Sequence, residues 1–106
     1  MFVSGSVNFD QKLNGVLKMA YFKQGNADSQ VKIGAGKLFG IFISSTTLGT
    51  FTLYDSATAS TSDPKICATV TPIAGGQYLS FPTGIWFSKG LFIDITNTIE
   101  YTICYE

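Results

Sequence analysis

Short runs of alternating apolar and polar residues fill most of the chain, and turn-forming residues break them every eight to twelve positions. After Asn14-Gly15, the run Val16 to Phe22 sets Leu17, Met19 and Tyr21 on one face. Gly25 to Asp28 reads as a polar turn, Gln30 to Ile33 as a short strand, and Gly34-Ala35-Gly36 as its flexible end. The run KLFGIFIS, Lys37 to Ser44, is apolar in both phases, which predicts a central strand covered on each side. Gly40 within it marks a bulge or a close backbone approach. A turn is expected at Thr46 to Gly49, so that Gly36 to Ser56 reads as two strands joined by a polar reversal.

The second half follows the same rhythm. Ser56 to Ser62 is a loop, and Pro64 stands at a position strands tolerate. KICATVT carries Ile66, Ala68 and Val70 on one face, with Cys67 and Thr69 on the other. Pro72 to Gly76 is a turn, Gln77 to Phe81 a strand and Pro82 a break. TGIWFS holds Trp86, LFIDI turns Leu91, Ile93 and Ile95 inward, and IEYTICY keeps Ile99, Tyr101, Ile103 and Tyr105 in phase. Leu13 to Phe22 has the length of one short helix, but it lacks an N-cap box. Eight or nine short strands predict an all-β protein, a two-sheet antiparallel β-sandwich of jelly-roll type. Its expected core is Leu38, Ile41, Ile43, Phe51, Leu53, Trp86, Ile93 and Ile103.

At 106 residues and 45% hydrophobic content, one domain can bury a core without metal or disulfide staples. The pattern divides it into an N-terminal arm, residues 1–12, and a sandwich over residues 13–106. The arm is mostly polar, and its Phe2, Val3 and Phe9 are the residues that would dock on a partner. Its first residues show no basic start followed by an apolar run, so no secretory signal is read there. No window approaches the ~20 apolar residues of a membrane helix, and no membrane partner is expected.

Charge changes the picture further. Seven lysines balance seven acids, there is no arginine or histidine, and charged residues are only 13% of the chain. A nucleic-acid binder shows a basic stripe and base-reading arginines, so none is expected here. Neutral, weakly charged chains associate readily, which suits a part that sits in an assembly. The 22 Ser and Thr residues account equally well for ordinary solubility.

Candidate chemistry is sparse. Without histidine there is no Ser-His or Cys-His pair. The carboxylates Asp55, Asp63, Asp94 and Glu100 are scattered over loops and exposed phases, where solvated carboxylates are commoner than glycosidase pairs. Gly34-Ala35-Gly36-Lys37 fails the phosphate-loop pattern. Cys67 and Cys104 match no zinc spacing and are expected as free thiols. Trp86 with the five tyrosines would make a sugar-stacking platform if exposed; lying between Ile85 and Phe87, it is expected to be buried. No enzyme, cofactor or metal is expected.

Taken together, GKLFGIFIS, GTFTLYDS, KICATVTPIAGGQYLSFP, KGLFIDI and IEYTICY, spanning Gly36 to Tyr105, resemble a family of small virion proteins of tailed bacteriophages. These are head decoration or auxiliary structural proteins. The first 35 residues carry none of the likeness, and Thr96-Asn97-Thr98 stands where the family has Gly-Thr-Gly. The resemblance implies a non-enzymatic capsid decoration protein, resident in the virion after assembly in the host cytoplasm. Its implied partners are other virion proteins, the major capsid protein first, and further copies of itself in a closed ring such as a trimer. The alternative is a carbohydrate-binding β-sandwich module, such as a phage fibre or receptor-binding tip. An exposed aromatic flanked by Asp or Asn in a loop cluster would favour that alternative; a continuous apolar surface patch with Trp86 buried would favour the virion part.

Overall fold

The computed structural model describes residues 20–73 and 76–106. The arm and its Phe2, Val3 and Phe9 lie outside the described residues. Six strands form one antiparallel sheet: β1 (Tyr21–Gly25), β2 (Ser29–Ile33), β3 (Gly36–Tyr54), β4 (Lys65–Val70), β5 (Gln77–Phe87) and β6 (Gly90–Tyr105). The described residues are thus all-β, as the period-two pattern requires.

The organising element is a ribbon of two long strands. β3 and β6 pair from Leu38 opposite Tyr105 to Tyr54 opposite Phe92. The outer edge of β6 takes β1 at one end and β2 at the other. The outer edge of β3 likewise takes β5 along Gly36 to Ile43 and β4 along Phe51 to Tyr54. Each end of the ribbon is therefore four strands wide.

Thr46 to Gly49 bends the chain without reversing it, which corrects the expected hairpin. The pairing slips at Ile43/Ser45 and again at Thr47/Leu48, where both Thr47 and Leu48 face Thr98. Leu48 and Asn97 adopt left-handed backbone, φ 54° and 64°. Asn97 Nδ2 donates to the Leu48 carbonyl at 2.8 Å, and the Gly49 amide donates to Thr46 Oγ1 at 3.1 Å. Turn chemistry has been spent on bulges, which sharpen local twist and bend a strand. A straight strand of this length would span ~60 Å. Instead both ends of β3 reach the same short segment. Gly36 pairs with Phe87, and the Ser56 amide donates to the Gly90 carbonyl at 3.2 Å. Only Ser88 and Lys89 separate Phe87 from Gly90.

The bend lets both ends share a single cluster of buried side chains. Leu38, Ile41, Ile43, Ile99, Tyr101 and Ile103 from one end meet Phe51, Leu53, Leu91 and Ile93 from the other, with Phe87 among them. Seven of the eight expected core residues are fully buried; Trp86 is not. Its side chain is 64% exposed. Residues adjacent in a strand point to opposite faces, so Phe87 takes the inner position and Trp86 the outer. An apolar neighbour on each side is evidence against burial in a strand with one wet face.

Two smaller corrections have similar causes. Pro82, expected to end a strand, sits inside β5 at the register slip between Ser80 and Ile85, on an edge strand where its missing donor costs no ladder bond. Cys67 pairs with Leu53 and packs partly against the core, because the slips between β3 and β4 shift its phase. Cys67 and Cys104 are both free.

Candidate functional site

The outer face of the end that holds Trp86 carries the residues the core does not use. Its rows follow from strand register. Trp86 pairs with Lys37, and Lys37 exchanges both backbone hydrogen bonds with Glu106. Ser80, Gly40, Cys104 and Phe22 form the next row. Tyr78, Phe42, Thr102 and Gln24 form the third. Phe22 is 73% exposed, Tyr78 55% and Phe42 44%. Four rings thus stand on one sheet face, with hydroxyls, a thiol and a bare glycine between them.

Local structure explains the layout. Gly40 lies beneath the Tyr78 ring, and a Cβ there would come within 2.9 Å of the tyrosine hydroxyl oxygen and 2.7 Å of the Leu79 carbonyl oxygen. The glycine lets the ring lie flat. At the top of the face, Lys37 Nζ stands 4.9 Å from the centre of the Trp86 ring, a cation-π contact. Gly84 folds against Lys37 and Phe39 with φ +79°, conformational freedom that the bulge in β5 demands.

The strand expected to be covered on both sides is central within the sheet, but one of its apolar phases faces outward at Phe42. Phe22, Phe42 and Tyr78 were not singled out from sequence. The available signal was the second apolar phase of KLFGIFIS, with its outward partners on neighbouring strands.

The carboxylates are used structurally. Asp55, just beyond β3, accepts from the amides of Ser88, Lys89 and Gly90 and from the Ser88 hydroxyl, at 2.7–3.2 Å. Burial pushes its carboxyl upward, but these donors together outweigh that and hold it below its ordinary value. Asp63, also held low by hydrogen bonds from Ser56 and Lys89, pairs with Lys89 at 3.2 Å in a partly exposed ion pair of small worth. At the far side, Asp28 Oδ1 accepts from the Ile95 amide at 2.6 Å. Asp94 is pushed upward by burial and by the neighbouring Asp28 carboxyl. The turn between β1 and β2 borders two open hollows, one of about 240 Å³ lined by Gln24, Gly25, Asn26 and Glu100, and one of about 180 Å³ whose lining includes Asp28 and Tyr101. Tyr101, its hydroxyl pushed upward by burial, donates to the Ala27 carbonyl at 2.9 Å and so supports this turn from below. Among the described residues, no group of three or more His, Cys, Asp or Glu side chains is placed to hold a metal ion.

Comparison with known proteins adds no neighbour: no family model, no curated protein and no solved structure matches the chain.

Proposed function

We propose that this chain is a non-enzymatic structural protein of a bacteriophage virion, a capsid decoration protein that works in contact with the major capsid protein and with copies of itself. The finer architecture belongs to the same proposal: the two ends of the bent ribbon face each other as the layers of a jelly-roll-like sandwich around their common core. The outer aromatic face carries the reading. Phe22, Phe42, Tyr78 and Trp86 are left open to water on a surface with Lys37 as its lysine. Exposed apolar patches of this kind mark interaction sites, since a free monomer has nothing to gain from wetting four rings. Low overall charge, 13% of residues, fits a chain that lives in an assembly.

Exposed Trp86 also favours a second reading, the carbohydrate-binding module. Sugars stack on open aromatic rings, and Trp86 offers one. Its ring, however, lies on a sheet face against Lys37, its partner in the strand register. The continuous patch suits a protein surface better than a sugar ring.

Mass spectrometry of purified virions from the culture that produces this chain tests the first reading. Peptides of the chain should appear in fixed ratio to those of the major capsid protein; particles lacking them would overturn it. Quenching or shift of Trp86 fluorescence by oligosaccharides, abolished in Trp86→Ala, would move the assignment to the second.

A further inference from the structure

We infer that the outer aromatic face is closed by a second copy of this chain, about a twofold axis along the seam between β3 and β6. This rests on the assembly reading above and names the occupant of that face. Let the axis lie between two stacked sheets, parallel to the strands. It then lays β3 of one copy on β6 of the other, and β5 on β1. Each cross-strand row falls on its own reversed copy.

The residue matches follow from the registers alone. In the first row Lys37 lies over the partner's Glu106, and Trp86 over the partner's Ala20, which precedes β1. In the second, Phe22 lies over the partner's Ser80, and Gly40, already covered by its own Tyr78 ring, lies opposite the partner's Cys104. In the third, Phe42 lies over the partner's Thr102 and Tyr78 over the partner's Gln24. No ring faces a ring. Large side chains set over small or slender ones let two layers interdigitate at the ~10 Å spacing of stacked sheets. An isologous contact makes each match twice.

Charge selects the same axis. Along the seam, Lys37 meets an acid on both sides. A twofold running across the strands through the middle row would instead set Lys37 over the partner's Phe42 and Glu106 over the partner's Thr102, so that neither charge faces its opposite across the contact. Four strands at ~4.8 Å and three rows at ~6.6 Å make a face of roughly 400 Å² in projection. That is about half the ~800 Å² per partner of a standard interface, so the association is weak and depends on concentration.

Sedimentation equilibrium on the full chain, from micromolar to near-millimolar, tests this. The mass should rise from 11.4 kDa toward twice that value. Thr102→Trp fills the hollow that receives Phe42, and should hold the mass at the monomer value while circular dichroism stays unchanged. Lys37→Glu should do the same, and adding Glu106→Lys to it should restore the dimer. That charge exchange decides the matter even if the tryptophan variant fails to fold. A monomer at every concentration, a trimer, or a dimer indifferent to these substitutions would overturn the inference. A monomeric chain that still copurifies with virions in fixed ratio would sink the twofold contact alone and leave the assembly reading standing.

Discussion

At the scale of single residues, the bend of the ribbon holds two neighbours with opposite sensitivities. Leu48 is 85% exposed and left-handed, so it buries nothing and bears a backbone conformation that costs a β-carbon residue ~1–2 kcal/mol. Asparagine tolerates that conformation, and Leu48→Asn should stabilise the fold by ~0.5–1 kcal/mol, read as a higher urea midpoint. Gly49 is buried, and a Cβ there would run into the Thr98 carbonyl and the Ile99 side chain. Gly49→Ala should therefore cost ~1–3 kcal/mol, as overpacked sites do. Trp86 is the case that sequence pattern misread. Buried, it would cost ~3–5 kcal/mol to remove; standing outward over Lys37, its replacement by alanine should cost ~1 kcal/mol or less. Urea unfolding followed by circular dichroism checks this, and a loss above ~3 kcal/mol would put the ring back in the core. Which phase of TGIWFS faces inward cannot be settled from that strand alone. It depends on Phe87 meeting Ile93 and Leu53 in one cluster, a tertiary fact.

At the scale of elements, the alternation itself was legible: every aliphatic expected in the core is there. What the pattern could not supply was how far each strand continues. Thr46 to Gly49 and Thr96 to Thr98 have the composition of turns, yet each lies in the middle of a long strand. They face one another across the ribbon, so the polar interruptions coincide and become one bend. A reversal at either would have been satisfied locally; pairing along nearly the whole of both strands satisfies more backbone groups. The outer face was half legible, since the second apolar phase of β3 was visible but its exposure depends on what packs above it. The clasp at Asp55 was not legible, because its donors lie 33 to 35 residues away in sequence. Asp55→Ala strands three backbone amides and should cost ~2–3 kcal/mol at neutral pH. The carboxyl is held below its ordinary value near 3.8, so the clasp contributes fully above the unfolded pKa. Its contribution is lost as pH falls through the lower folded pKa. Wild type and Asp55→Ala should thus converge in stability only as pH falls below that lowered folded pKa, with the gap fully open from about pH 5 upward. A gap independent of pH would mean the carboxylate is not the holding group.

At the scale of the whole molecule, the two ends of the ribbon have no separate cores to fall back on. Tyr101 and Ile103 lie at one end and Leu91 and Ile93 at the other, yet all belong to one buried cluster. The chain also crosses between the ends twice through very short links. Gly34 and Ala35 carry it from β2 to β3, and Ser88 and Lys89 carry it from β5 to β6. The Gly34 amide donates to the Lys89 carbonyl at 2.8 Å, tying one link to the other. Opening either end exposes apolar surface of the other, so partial unfolding gains too little chain entropy to offset the burial it loses. The described domain should therefore unfold as one unit. Trp86 reports one end by fluorescence, while far-ultraviolet circular dichroism reports all six strands, and the two urea transitions should coincide within error. Asp55→Ala, placed at the far end of β3, should lower both midpoints by the same amount, although Trp86 pairs at the near end. An early fluorescence transition with most strand signal intact would mean that the ends are separable, and that the common core contributes less than its continuity implies.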